Sequence, residues 1–199
     1  MSVRANWQAM LAMACALLAF AFLPMTEGAS TFMAVTIIML IAMGAAASAV
    51  HPVTTLSNLV LGICPHIAVY LLIRLLPGAE GKAGASFFLA LAACWLLAWR
   101  LVTVLSGDSS RGSGEGWLGR LGVPALFGLW ILILWEAITR GAGVPFVLLP
   151  PPSAIGARLM SSLPILAADF NQTVLKAVLF GFFVGSFSGF LVEIGRAHV

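Results

Sequence analysis

Polar side chains inside apolar stretches are the residues of this chain that could do chemistry. Asn58 and His66 lie in one such stretch, and Arg100 and Glu136 lie near the ends of two others. An imidazole or a carboxylate at membrane depth can relay a proton or contact a substrate, so each is a candidate for function. The competing interpretation is structural, because long charged side chains near the end of a span usually reach the interface.

The residue patterns that identify an enzyme are missing from the sequence. It contains no His-x-x-x-His run, no paired inward carboxylates and no Ser/His/Asp set. The three cysteines, Cys15, Cys64 and Cys94, lie in apolar stretches without a Cys-x-x-Cys pair. We therefore expect them to be small buried residues and not a disulfide framework or a metal site.

A Gly-x-Gly-x-x-Gly pattern occurs at residues 114–119. In a dinucleotide fingerprint this pattern follows a strand and opens a helix, whereas here it follows a polar stretch, so we interpret it as flexible linker. The chain also lacks a Walker phosphate loop. The sequence therefore predicts no cofactor and no enzymatic activity, and any ATP chemistry would belong to another chain.

Three glycines near the end of the chain form the sharpest local pattern. Gly181, Gly185 and Gly189 are spaced by four, so they lie along one side of a helix. Helices in lipid use such faces because the missing Cβ atoms let another helix approach closely. The pattern predicts a helix-packing face, whether or not that packing has a special role.

The composition indicates which solvent surrounds these residues. Of 199 residues, 61% are hydrophobic and 9% are charged, and the mean hydropathy is +1.08. Soluble domains are about 45–50% apolar and about 25% charged, so a soluble fold could not bury this much apolar surface. The formal net charge of +3 forms no basic patch and gives no case for nucleic acid. We predict an all-α, polytopic membrane protein.

Six windows are apolar and long enough to span a bilayer, which needs about 20 residues per helix. They cover residues 5–23, 31–50, 56–76, 86–105, 121–138 and 173–192. Arg4 followed by an apolar run also has the form of a signal peptide, but the spans that follow favour a retained first helix.

The longest polar stretch divides the chain into two parts. Residues 107–120 are rich in Gly and Ser and predict a linker between a four-span region, 1–106, and a second region, 121–192. In the second region, residues 140–171 contain five prolines, so we expect no span there. Ser153 stands where a helix N-cap is expected, and apolar residues then recur at helical spacing. A short amphipathic helix at the membrane surface fits this pattern, with an irregular loop as the alternative.

From about Leu118 onward, the sequence resembles the start of a known family of transport proteins. The matching segments are Leu-Trp-Glu at 134–136, Gly-Val-Pro at 143–145, Leu-Leu-Pro-Pro-Pro-Ser-Ala at 148–154, Thr-Val-Leu-Lys at 173–176, and the three spaced glycines. They resemble the permease subunit of bacterial ATP-binding cassette importers of the nitrate, sulfonate and taurine type. Lys176 stands where this family usually has Arg, which keeps the charge but loses the planar fork. Residues 1–106 do not resemble that core.

The resemblance implies a multi-pass protein of the bacterial inner membrane that takes part in importing a small solute. Its implied partners are membrane lipid, a second permease subunit (in a homodimer), a separate ATP-binding subunit and a periplasmic substrate-binding protein. It also implies an N-terminus inside and the proline-rich segment outside, since the charges alone do not determine the orientation. No residue identifies the substrate.

Two other functions stay open from the residues alone. A secondary transporter or channel would need broken helices or inward charges in matching halves. A non-transporting membrane anchor would be compatible with the four unassigned spans.

The end of the sequence carries a separate expectation. The family's coupling loop and remaining core helices would lie beyond Val199, and residues 193–199 resemble the translation of a sequencing adapter. We expect this tail to be non-native, which resequencing of the locus would test.

Overall fold

The computed structural model describes residues 6–49, 55–109 and 117–196. These residues form helices and one isolated β-bridge, which confirms the predicted all-α fold. The helices are α1 (Trp7–Ala21), α2 (Thr31–Ala49), α3 (Thr55–Arg74), α4 (Ala85–Ser109), α5 (Trp117–Gly141), α6 (Pro152–Phe170), a π-helical segment (Asn171–Leu179) and α7 (Phe180–Arg196).

Five helices among the described residues are long and apolar enough to cross a membrane: α2, α3, α4, α5 and the continuous helix Pro152–Arg196. The first predicted span differs, because α1 has only 15 residues. At about 1.5 Å per residue it is about 22 Å long, shorter than the hydrocarbon core of about 30 Å. The Asn6 side chain caps its start, and Pro24 lies three residues beyond its end, where it restricts the preceding residue to non-helical geometry.

The predicted linker 107–120 is shorter in the structure than in the sequence pattern. Helix α4 continues to Ser109 and α5 begins at Trp117, so both ends of the predicted linker are helical. Residues 114 and 116 of the glycine pattern lie outside the described residues.

Helix α4 is the centre of the first compact unit, which extends to Pro152. It contacts α1, α2, α3 and α5, and it contributes the largest share of the buried core. Helix α1 packs on it through small residues, and α2 and α3 close together where Gly44 meets Pro65. A Cβ atom added at Gly44 would lie 3.3 Å from the Pro65 Cγ, a tight contact that favours glycine at this position. Helix α5, the first helix after the predicted linker, therefore belongs to the same compact unit as the four N-terminal helices.

Three connections meet at one end of this unit: residues 22–30, 75–84 and 142–151, which we call the three-loop layer. An antiparallel bridge joins Thr26 to Ala83, and the Gly84 N–H donates to the Met25 carbonyl over 2.9 Å. The Gly81 N–H donates to the Arg140 carbonyl over 2.8 Å. Several backbone groups of these loops thus bond to one another, which joins the three connections into one layer.

The second compact unit begins at Ser153 and consists of one continuous helix. The predicted short surface helix and the predicted span 173–192 are joined in it, so the expected break between them is wrong. At the expected boundary the helix instead changes to π geometry over Asn171–Leu179 and then continues as α7. Pro164 is accommodated inside α6. All 45 residues would extend about 68 Å, more than twice the hydrocarbon thickness.

Candidate functional site

His66, predicted as a polar group without a visible partner, lies in the middle of α3 and does have one. The Trp130 indole N–H on α5 donates to His66 Nε2 over 3.0 Å, and His66 Nδ1 lies 2.5 Å from the Gly62 carbonyl oxygen. An indole can only donate and a carbonyl can only accept, so these partners assign the neutral imidazole with its proton on Nδ1. Both ring nitrogens are engaged, and His66 therefore links two helices instead of offering a nitrogen to a metal or substrate.

The three predicted intramembrane candidates do not converge on one site. Asn58 is half-buried in the first two turns of α3, eight residues before His66 and about 12 Å along the axis. Glu136 lies six residues after Trp130 on α5, about 9 Å beyond the His66–Trp130 bond. Since α3 and α5 both end at the three-loop layer, Asn58 and Glu136 lie on opposite sides of that bond.

Glu136 is buried at the three-loop end of α5 and belongs to an ion-pair network. Its Oε1 lies 3.3 Å from Arg140 Nη1, one helical turn away, and Arg140 Nη2 lies 2.8 Å from Glu80 Oε1. The guanidinium thus joins a carboxylate of its own helix to one from the α3–α4 connection. One interpretation of the sequence is that the Glu136 side chain extends to the membrane interface. In the structure its carboxylate is buried, and the Arg140 guanidinium compensates its charge there.

A second ion pair in the three-loop layer joins the α1–α2 connection to the α3–α4 connection. Lys82 Nζ lies 2.7 Å from Glu27 Oε2, and both side chains are more than half exposed, so this pair contributes little to stability. Its hydrogen bond to Glu27 raises the pKa of Lys82. The hydrogen bond from Arg140 lowers the pKa of the Glu80 carboxyl, and the Glu80 and Gly78 backbone N–H groups act in the same direction.

The opposite end of the bundle holds a smaller polar cluster. The Asn6 amide donates to the Ser48 carbonyl over 2.8 Å and also contacts the Ser48 hydroxyl, to which Arg100 Nε donates over 3.3 Å. The Trp7 and Trp99 rings meet edge to face at 5.3 Å beside it. Arg100 thus anchors α4 to the end of α2, which favours the structural interpretation of this residue.

An aromatic groove of about 350 Å³ lies between α4 and α5. Its lining residues are Trp95, Ala98, Trp99, Val102, Phe127 and Trp130. No carboxylate, amine or hydroxyl is among them, and the Trp130 N–H is already bonded to His66. The groove therefore suits an apolar group and provides no residue for acid–base chemistry.

The glycine face on α7 lies as the sequence predicts, along one side of the helix. A Cβ atom added at Gly181, Gly185 or Gly189 would meet no other side chain within 4 Å among the described residues. The face is open, and the helix-packing role predicted for it stays a prediction.

The sequence identified the candidate polar residues but did not identify the residues that bond to them. The Glu136–Arg140 pair could have been predicted, since residues four apart on a helix are neighbours. Glu80 and Trp130 carry no comparable signal, because they lie 60 and 64 residues away from Arg140 and His66 in sequence.

Chemically, the described polar groups form structural bonds between helices and loops. The cysteines agree with their predicted packing role, with Cys64 and Cys94 buried and Cys15 half-buried. Comparisons with family models, with curated protein sequences and with solved structures found no match for this chain.

Proposed function

We propose that this chain contributes to the permease subunit of an ATP-binding cassette importer in the bacterial inner membrane, moving a small solute such as nitrate, a sulfonate or taurine. The observation that carries the proposal is the order of the five matching segments between residues 134 and 189. Each is weak alone, but their sequence and spacing together favour this family over the other functions considered.

The local structure of the proline-rich segment supports the proposal. The Leu148 N–H donates to the Pro145 carbonyl over 2.9 Å, which forms a turn, and α6 then begins at Pro152. Proline suits the first position of a helix, where its missing N–H is not needed and its φ is already helical. The motif Leu-Leu-Pro-Pro-Pro-Ser-Ala thus leads from one spanning helix to the next.

In this proposal the chain works with three kinds of protein. A second permease subunit completes the pathway as a homodimer, a binding protein delivers the solute from outside, and a separate ATPase drives transport. ATP binding would favour one of two helix arrangements, giving alternating access. The glycine face of α7 supplies close helix contacts in that assembly.

Purification of the chain from its own locus tests the proposal. We expect the product of the whole reading frame at this locus, tagged at its N-terminus, expressed with its neighbouring genes and solubilised in mild detergent, to copurify with a nucleotide-binding ATPase. Addition of the neighbouring periplasmic binding protein with its solute should raise ATP hydrolysis. Solute uptake without any associated ATPase would instead indicate a secondary transporter, and neither uptake nor an ATPase would indicate a membrane anchor.

The orientation of the chain has a separate test. We expect a cysteine placed at Ser161, in a background without the three native cysteines, to react with a membrane-impermeant reagent added outside intact cells. Ser161 is exposed on α6, so its reactivity reports the side of the membrane. Labelling only after the cells are broken would contradict an outside location for this segment.

A further inference from the structure

We propose that the four N-terminal helices are an in-chain docking platform for α5, which they hold by two attachments at different depths. This assigns a role to residues 1–106, which the family resemblance leaves unexplained. The proposal concerns the packing of α1–α5 alone, so it can fail or succeed independently of transport.

The first attachment lies at mid-depth and is polar. Trp130 is 3% exposed, whereas Phe127, one turn earlier on α5, is 61% exposed. The Trp130 indole reaches α3 by its hydrogen bond to His66, and the two rings also meet edge to face at 5.5 Å. A hydrogen bond in hydrocarbon has no water to replace it, so this bond favours one position of α5 along α3 over its neighbours.

The second attachment lies in the three-loop layer, where the end of α5 is fixed by side chain and backbone together. Arg140 pairs with Glu80, and its carbonyl accepts from the Gly81 N–H. The Ala83 N–H donates to the Gly141 carbonyl over 3.3 Å. Side chain and main chain of one residue, Arg140, therefore both bind the α3–α4 connection.

Two glycines make this second attachment close. Gly81 and Gly143 have φ values of +75° and +67°, and their backbones touch. A Cβ atom added at Gly143 would lie 2.7 Å from the Gly81 Cα, closer than real Cβ contacts. The loop after α5 can reach the platform only because neither residue carries a side chain.

The surface of α5 shows that its docking is selective. Its buried positions Trp130, Ala137 and Gly141 recur at intervals of seven and four and so form one stripe toward α3 and α4. Thr139, on the opposite side, is also buried, at the three-loop end of the helix. Large apolar residues on its other sides are about half exposed, as at Leu129 and Ile131. Away from the three-loop end, the platform thus covers one face of α5 and leaves the others for lipid or further helices.

Cleavage of the intact chain tests the platform. A protease site is inserted within residues 110–116 of the full chain, which carries an N-terminal affinity tag, and the purified protein is cut in mild detergent. We expect most of the piece that begins near Trp117 to stay on the affinity resin with α1–α4. Its complete release from the unsubstituted protein would overturn the proposal.

Two matched pairs of variants locate the attachments. Gly143→Ala should release several-fold more of the C-terminal piece than Gly78→Ala, because Gly78 shares the positive φ (+80°) but has open space around it. Trp130→Phe should release more than Phe127→Leu, which changes an exposed residue of the same helix. Variants that do not give a single peak in gel filtration before cleavage are excluded from the comparison.

The Gly143/Gly78 pair tests the attachment in the three-loop layer, and the Trp130/Phe127 pair tests the attachment at mid-depth. Equal release within both pairs would overturn the platform, whereas a difference in one pair alone would overturn the two-point attachment and leave a single point. The Trp130 pair introduces no backbone strain, so it remains a valid test if Gly143→Ala fails to fold.

Discussion

Helices α1 and α7 carry similar stripes of small residues, but only the stripe on α1 meets another helix in the described structure. On α1, Ala9, Ala12, Ala16 and Ala19 are at most 4% exposed, and the helix packs against α4 and α2. On α7, the three glycines face open space within the second unit. Similar helical spacing thus accompanies a filled interface in one region and an open one in the other.

The difference teaches what a small-residue stripe encodes. Spacing by three or four fixes which side of a helix can be approached closely. It does not specify the partner, which depends on residues elsewhere, such as Ser86 on α4, whose hydroxyl donates to the Ala19 carbonyl over 2.6 Å. In the first unit the partner is within the chain, whereas the described residues place nothing within 4 Å of a Cβ atom added to the α7 glycines.

The largest expected effect comes from filling the α1 stripe. Ala16→Leu should lower stability by about 1–3 kcal/mol, since added methylenes in a packed interface force neighbours apart. Ala14→Leu, on an exposed side of the same helix, should have little effect. Thermal unfolding of both variants in detergent measures the difference, and equal melting temperatures would show that α1 is not closely packed on α4.

The second prediction concerns the open stripe. In the 199-residue chain, Gly185→Leu should leave the melting temperature almost unchanged, because a Cβ there has no neighbour. Under the proposed function, in a full-length homologue from the family that this chain resembles, the same change should destabilise more than Phe187→Leu, since only the glycine would lie at a close backbone contact. A larger loss for the phenylalanine change in that homologue would contradict a packing role for the glycine face.

A smaller effect is expected from the bond that ties α4 to α1. Ser86→Ala removes the hydroxyl that donates to the Ala19 carbonyl, at a position that is fully buried. Hydrogen bonds between membrane helices contribute about 0.6 kcal/mol on average, so the melting temperature should fall slightly. Thr103→Val is the control, because the exposed Thr103 bonds a carbonyl of its own helix. An equal loss in both variants would assign the Ser86 effect to α4 alone.

The smallest effect should appear in the pH dependence of the three-loop layer. The pKa of Glu80 is lowered in the folded protein by Arg140, so its contribution to stability is present above the unfolded pKa of about 4.3. It is lost as pH falls through the lower folded value. We therefore expect the melting temperature to fall more steeply below pH 4 in the unsubstituted protein than in Glu80→Gln. If the melting temperature falls with pH equally in both proteins, the ion pair between Glu80 and Arg140 does not contribute to stability.

Most of the helices could be predicted from the sequence because lipid imposes a simple rule on them. Long apolar runs separated by Pro and Gly identified α2, α3 and α4 closely, since each run must satisfy its own backbone bonds. The continuous helix Pro152–Arg196 could not be predicted in the same way. Asn171, Gln172 and Lys176 interrupt its apolar pattern, and the backbone accommodates them by π geometry instead of by a break.

The candidate residues could be predicted, whereas their bonds could not. His66 and Glu136 stand out as polar groups among apolar neighbours, which is a property of the local sequence. Their partners Trp130, an aromatic residue within an apolar stretch, and Arg140, a charge at the end of a span, are ordinary residues for those positions, and only the packing of α5 on α3 brings Trp130 to His66. The spacing of residues in the sequence shows which face of a helix they share. A contact between residues far apart in sequence is known only once the chain is folded.

The attachments of α5 all connect it to residues that the ribosome makes earlier. His66, Glu80, Gly81 and Ala83 precede Trp130 and Arg140 in the chain. Because membrane helices emerge in order from the N-terminus, α3 and its following connection are already inserted when α5 enters the bilayer. Glu136 and Arg140 form their pair within one helical turn, so α5 can enter with these charges matched. Assembly of this bundle during synthesis therefore need not wait for any later helix.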